Sequence, residues 1–494
     1  TKPNNKGDIV IMSDCKKMYI GGAWVDAMSG QFYDDCDPYT GEVFARVANG
    51  GGEDTRRAID AAQAAFPMWK AYNPVEKRKL LNRAADLLEE RMDQFVDALN
   101  RETGAATPFA KFQAKNSPEF LREAASQVLN VHGQMFPSET PDCVGMMWRQ
   151  PMGVVGCISP WNAALLLALR AVVFPLACGN TVVLKTSEAS SVVGGVMLAQ
   201  LFADAGFPAG VFNLVTTGPG RSGEVGDVLT SDKRVRCITF TGSTQVGRAL
   251  NVQCAQNLKR FCAELGGNCP LIVLGDADVD YAVNAAAFGR YMHQGQVCMN
   301  TKRIVVEQSI ADAFLEKLTA KAKSLKFGDP KLPDTIIGPL INQSQMNTLL
   351  RQIETARAQG AEILCGGQNH GLVYEPTVLV MTEEMEIAHQ EVFGPVANVI
   401  IAKDAGDALR IANDTDYGLS SGIITGDLAR GWDMAERLEA GCCHINDCTL
   451  GDEPHAPLGG MKESGSGKNG FMAIEEFTEV RWVTLQKKPR HYLF

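Results

Sequence analysis

The 494-residue chain predicts an α/β protein with two parallel-sheet units and a small separate β element. Three observations predict it. Short apolar strands alternate with helices from about residue 151, and a second such series begins near residue 270. Two strand-like stretches, 144–150 and 479–486, fit neither series. Strand, helix, strand in repetition is the pattern of a parallel sheet with right-handed crossovers.

Residues 54–131 read as helical, because apolar positions recur every three or four residues in DTRRAIDAAQAAF, KRKLLNRAADLLEERMDQFVDAL and PEFLREAASQVLNV. Pro74 and Pro108 mark breaks between them. In the first α/β series VVGCIS leads to an Ala/Leu-rich helix, NTVVLK to SSVVGGVMLAQLFADAG, VFNLV to a short helix, and RCITF to a helix from about Gln245. In the second, PLIVLGD is followed by helical DYAVNAAAFGRYMHQ, strand RIVVEQ, helix ADAFLEKLTAKAKSL, and the strands VANVIIA and CCHIN. VGMMWRQ and EVRWVTLQ read either as edge strands of one subunit or as strands that bridge subunits.

Composition excludes several function classes. With 45% hydrophobic and 21% charged residues the chain is ordinarily globular, long enough for roughly three domains of ~150 residues. A net charge of −10 without a dense basic run gives no attraction to nucleic acid or to an anionic membrane. No apolar run approaches the ~18 residues of a membrane helix. The first 20 residues hold no apolar core of signal-peptide length, and the start at Thr1 reads as trimmed or processed. Fourteen cysteines in a large α/β chain suggest free thiols in a reducing, cytoplasmic setting rather than disulfides.

Six short segments can carry chemistry. In FTGSTQVG (240–247) a strand runs into Gly242 and Ser243 before a helix, whose N-terminal N–H groups suit a pyrophosphate; such a turn also serves structure alone. In VVLKTSE (182–188), Lys185 and Glu188 stand where open parallel sheets bind ligands, or form a plain surface pair. Glu264 of CAELGG closes an apolar strand, where removal from water raises a carboxyl group's proton affinity and suits a general base; capping a turn is the alternative. Cys298 of HQGQVCMN follows Gln-Gly-Gln at a helix end, so its thiol need not be buried. Asn162 of PWN can aim its amide at an oxygen, and Glu391 and Phe393 of EVFGP lie on a loop before a strand.

Taken in this order over roughly 235 residues, PWN, KxxE, FTGSTxVG, ELGG, GQxC and ExFGP resemble the aldehyde dehydrogenase superfamily. The resemblance spans essentially the whole chain, with ELGGN in place of ELGGK as one departure. It implies a Rossmann-like NAD-binding domain (1–138 and 159–267), a second α/β catalytic domain (268–470) and a bridging, oligomerising β element (139–158 and 471–494). It implies Cys298 as nucleophile, Glu264 as general base, and Asn162 with the Cys298 backbone N–H as oxyanion donors. Cofactor contacts fall to Ser159, Trp161, Lys185, Glu188, Gly242, Ser243, Leu265, Glu391 and Phe393. Glu188 favours NAD, with NADP possible. The assembly expected is a homodimer or homotetramer.

Stretches such as FLREAAS, FGRYMHQGQVCM and RWVTLQKKPRHY look most like the salicylaldehyde, vanillin and benzaldehyde branch. The expected function is NAD-dependent oxidation of an aromatic aldehyde to its acid. Phe109, Ala163, Leu166, Leu167, Tyr291 and Met292 are expected to wall a ring pocket, unless they are ordinary core. Arg170 is expected near a phenolic oxygen or in an ion pair. His293 and His455 lack metal-like spacing, so no metal is expected. The alternatives are an aliphatic aldehyde or semialdehyde substrate, a CoA-acylating relative or cysteine hydrolase, and a non-catalytic protein of the same fold.

Overall fold

A computed structural model describes residues 15–494, so the expectation for the extreme N-terminus falls, over residues 1–14, outside the described residues. The helical region forms Gly52–Ala71, Pro74–Glu90, Met92–Glu102 and Thr107–Gln127. Its two marker prolines stand in first turns, where a missing N–H costs nothing. Asn73 caps its helix by accepting the Val75 N–H at 2.8 Å.

Five strands of the first sheet run parallel, in the spatial order Phe212–Val215, Thr181–Lys185, Val154–Ile158, Val235–Thr241, Arg260–Glu264. The strand order reverses direction between Val154–Ile158 and Val235–Thr241, which opens a crevice at their carboxyl ends. Antiparallel strands extend both edges, Met18–Ile20 with Ala23–Val25 at one and Gly465–Ser466 at the other. The helix Ala164–Ala177 is buried along its whole length against this sheet. That explains its unbroken ALLLALRAVVFPLA composition, at about 1.5–3 kcal/mol for each large apolar side chain removed from water.

The second sheet has seven strands, ordered Glu362–Cys365, Thr377–Val380, Val396–Ala402, Arg303–Glu307, Pro270–Val273, Ser420–Ile424 and Cys442–Ile445. All but the first pair parallel. The stretches 144–150 and 479–486 join a third, three-stranded sheet. Thr478–Gln486 pairs antiparallel with Cys143–Pro151 along nine residues, and Gln134–Pro137 lies on the far side.

Three expectations change. Val154–Ile158, assigned with 139–158 to the bridging element, is a central strand of the first sheet; its five residues are all buried, as a strand covered on both faces must be. Gly465–Ser466, assigned to the second unit, closes the first sheet by pairing with Ala263 and Glu264. The helix expected near 190–206 opens with a π-helical turn, Val192–Val196, before Met197–Ala205. There the buried Glu102 carboxylate takes the N–H groups of Val192 and Val193, each at 2.6 Å.

Candidate active site

The crevice of the first sheet collects the expected cofactor residues. Ser159 follows the strand Val154–Ile158, and its Oγ is buried without a hydrogen-bond partner. Lys185 ends the next strand; burial lowers its pKa and Glu188 raises it. Across the crevice Ser243 caps the helix Thr244–Gln256, its Oγ accepting the Val246 N–H at 3.4 Å. Gly242 is required, since a Cβ there would lie 2.4 Å from the Phe240 ring. A Cβ on Gly247 would likewise meet Leu265 at 2.4 Å, which sets how closely this helix rides on the ELGG segment.

Cys298 is presented by an irregular turn rather than a helix end. His293 (φ 51°), Gln294 (φ 55°) and Gly295 (φ 73°) turn left-handed in succession after the helix Val279–Tyr291. Strain of this kind persists only where the surroundings over-determine it. Gln294 Nε2 donates to the carbonyls of Gly104 and Pro339 at 3.0 Å each. Asn300 Oδ1 accepts the Val297 N–H at 2.6 Å. Asn162 Nδ2 donates to the Gln296 carbonyl at 3.0 Å, tying the PWN turn of the first sheet to the thiol turn. An amide carries two such N–H donors, so one is left for a ligand. The thiol itself is half-buried, and burial pushes it up to about 12 while Arg170 and Lys302 pull it down.

Glu264 ends the strand Arg260–Glu264, buried, with Asn469 Nδ2 donating to its Oε1 at 3.2 Å. Burial raises its pKa to about 7, opposed by Arg170. It lies close enough to Cys298 for its charge to raise the thiol further. Arg170 pairs with Asp452 at 3.0 Å, both well removed from water. Its charge therefore faces Glu264, Cys298 and Asp452, and the ion pair is one of the two settings expected for it.

Glu391 and Phe393 lie on the loop before Val396–Ala402, opposite the PWN turn. The Gly267 N–H donates to Glu391 Oε1 at 3.0 Å, and Phe393 meets Trp161 edge-on at 6.1 Å between ring centres. Of the expected substrate residues, Phe109, Tyr291 and Met292 line an apolar cavity of about 350 Å³ together with Phe288, Leu325 and Ile336. Ala163, Leu166 and Leu167 are buried in the core of the first unit, to which Phe109 belongs and against which Met292 packs. The Tyr291 hydroxyl is spent on the Thr377 carbonyl at 2.9 Å. His293 stacks on Phe109 at 4.4 Å with neither ring nitrogen hydrogen-bonded, and burial lowers its pKa to about 3. His455 is exposed beside Glu453. Among the described residues no group of three His, Cys, Asp or Glu side chains could hold a metal ion.

Sequence reading missed Asp452, Asn469 and Lys302. Asp452 and Asn469 carry no local signal, because they reach the site from loops about 200 to 280 positions downstream of their partners. Lys302 had one, a cation four residues after the candidate thiol and entering an apolar strand.

A dinucleotide-type crevice facing a held thiol and a buried carboxyl is the layout of a cysteine-dependent oxidoreductase. The aldehyde dehydrogenase family matches residues 24–483, and the chain belongs to that family. It is 44% identical to a vanillin dehydrogenase of Pseudomonas fluorescens, over 96% of this chain and 98% of that one. It is 40% identical to an NAD(+) benzaldehyde dehydrogenase of Pseudomonas putida, over 95% and 96%. A salicylaldehyde dehydrogenase from Pseudomonas putida G7, solved with salicylaldehyde, superposes with a TM-score of 0.95 at 40% identity, covering 97% of this chain and 100% of that one.

Proposed function

We propose that the protein oxidises aromatic aldehydes to carboxylic acids with NAD, using Cys298 as nucleophile, Asn162 as oxyanion donor and Glu264 as base. One observation carries it: the Asn162 amide is locked to the turn that presents Cys298, with Glu264 held near pKa 7 within electrostatic reach of the thiol. The Cys298 sulfur attacks the carbonyl carbon as its proton leaves, and the free N–H of Asn162 with the Cys298 backbone N–H meets the developing oxyanion. NAD, when bound, supplies the acceptor for the hydride that the substrate carbon gives up. A thioester remains on Cys298, and Glu264 takes a proton from the water that releases the acid.

The crevice fits the dinucleotide. The unpartnered Ser159 Oγ, Lys185, Glu188 and the helix N-terminus at Thr244 face it, and the Glu188 carboxylate disfavours a 2′-phosphate. The division of labour follows the sheets, with the first holding the cofactor, the second the thiol and the third the assembly. The aromatic substrate is supported by the names of the relatives and by Phe109, whose ring stacks on His293 of the turn that presents Cys298. The test is kcat/KM with NAD across benzaldehydes, hydroxybenzaldehydes and aliphatic aldehydes. Benzaldehydes should lead by about tenfold or more, and a tenfold lead for short aliphatic aldehydes would sink the aromatic assignment.

The third sheet supports self-association as a dimer or tetramer. Its edge strand Thr478–Gln486 leaves Trp482 70% exposed, beside exposed Val480, Leu485 and Trp148. An open apolar edge of this kind is a template for a second chain. Trp482→Asp should therefore shift the mass measured by light scattering towards the monomer, and an unchanged mass would remove this edge from the interface. No helix of the described residues is long and apolar enough to cross a membrane, and 14 unpaired thiols agree with a reducing compartment.

A further inference from the structure

Lys302 stands four residues after Cys298, where the chain enters the strand Arg303–Glu307. Its side chain is entirely buried. The ammonium donates to the Val297 carbonyl at 2.8 Å, lies 4.1 Å from the centre of the Phe393 ring, and approaches Glu391 Oε1 to 4.0 Å. Val297 immediately precedes Cys298. One cation thus touches both the root of the thiol turn and the two side chains of the loop opposite it. The neighbouring Arg290, also buried, donates to the Val392 and Gly394 carbonyls. Arg290 therefore holds the main chain of that loop, while Lys302 holds its side chains.

Such a cation is expensive to bury, and a methionine of similar length would fill the space without that penalty. Its contacts show what the charge does. The carbonyl and the aromatic face are neutral acceptors that orient it, and the Glu391 carboxylate is its counter-ion.

We propose that Lys302 is a positioning residue for the reaction assigned above: its ammonium, seated at the root of the Cys298 turn, fixes the register between that turn and the Glu391–Phe393 loop. The assignment rests on the reading that Cys298 is the nucleophile and that Glu391 and Phe393 contact the cofactor. Four groups face the ammonium: Glu391, Arg290, Cys269 and Cys298. Burial lowers the pKa of the ammonium to about 8; Glu391 opposes this and Arg290 adds to it. At the thiol, burial dominates, and Arg170 and Lys302 are the two cations that oppose it. Losing either should therefore make the thiolate harder to form.

The test uses the full chain with Lys302→Met and Lys302→Gln, the second retaining a donor for the Val297 carbonyl. Alkylation of Cys298 by iodoacetamide is followed across pH in the cofactor-free protein, with mass spectrometry separating its peptide from the other thiols. NAD affinity is measured by quenching of tryptophan fluorescence. Burial lowers Lys302 to about 8, so both neutral variants should slow alkylation about tenfold below that pH, where the ammonium is charged, and leave the rate above it unchanged. Lys302→Met should also weaken NAD binding by about fivefold or more. If Lys302→Met fails to fold, Lys302→Gln carries the alkylation readout by itself. Folded variants with the wild-type alkylation profile and NAD affinity within twofold would overturn the assignment. A wild-type protein that forms no NADH from any aldehyde would instead overturn the functional reading, which separates the two failures.

Discussion

Replacing Cys298 with Ala is expected to bring aldehyde-dependent NADH formation to background, a fall of about 10⁴-fold or more. The size follows from the absence of a substitute. The thiol of Cys269 is bonded at 3.6 Å to the Cys298 carbonyl, but its side chain is fully buried where that of Cys298 is half-buried. Cys442 senses the charges of Glu264 and Asp452, yet it belongs to the last strand of the second sheet rather than to the left-handed turn that Asn162 holds. Neither shares the oxyanion arrangement, so neither can take over the covalent step. The variant should still bind NAD with near wild-type affinity, because the crevice residues are untouched. Residual oxidation above about 1% of wild type would place the nucleophile elsewhere.

The second large effect concerns Glu264. Glu264→Gln should form one equivalent of NADH per site and then stop, because the amide cannot take a proton from water and the thioester persists. The steady-state rate is expected to fall by about 10²–10⁴-fold, with the acyl-enzyme visible as a mass increase on the Cys298 peptide. The wild-type pH profile should share this origin. Burial raises Glu264 to about 7, so below that pH the group is protonated and cannot act as base. The rate of acid release should therefore fall as pH drops through about 7, and this limb should vanish in Glu264→Gln. A Gln variant with ordinary turnover, or a limb that survives the substitution, would remove Glu264 from the role.

The legible parts of this site are those in which function is written into one contiguous segment. FTGSTQVG, VVLKTSE and CAELGG each contain a strand, its carboxyl end and the residue delivered there, so the crevice follows from local pattern. The turn carrying Cys298 was legible as a helix end, and its left-handed geometry was not. That geometry is imposed by Gln294 and Asn162 reaching carbonyls 190, 45 and 134 positions away. The pairing of Arg170 with Asp452 spans 282 positions, and its type is that of a substrate contact as much as of an ion pair. The apolar pocket was the least legible element. Leu167 and Met292 are both apolar and both pack in the core of the first unit, yet only Met292 also lines the cavity. Residue type alone does not separate those fates.

The closure of the first sheet by Gly465–Ser466 has a consequence for biosynthesis. Five parallel strands are complete once the ribosome has passed Glu264, but the segment that shields this carboxyl, Ser464 to Asn469, emerges about 205 residues later. At ~5–20 residues per second that is a delay of about 10–40 s. Until then Glu264 lacks the Gly465–Ser466 partner strand and the Asn469 amide that pack against it in the folded chain. The parallel strands of the first sheet thus precede the segments that enclose its base. The burial that raises Glu264 to about 7 therefore depends on segments about 200 residues downstream of its own strand.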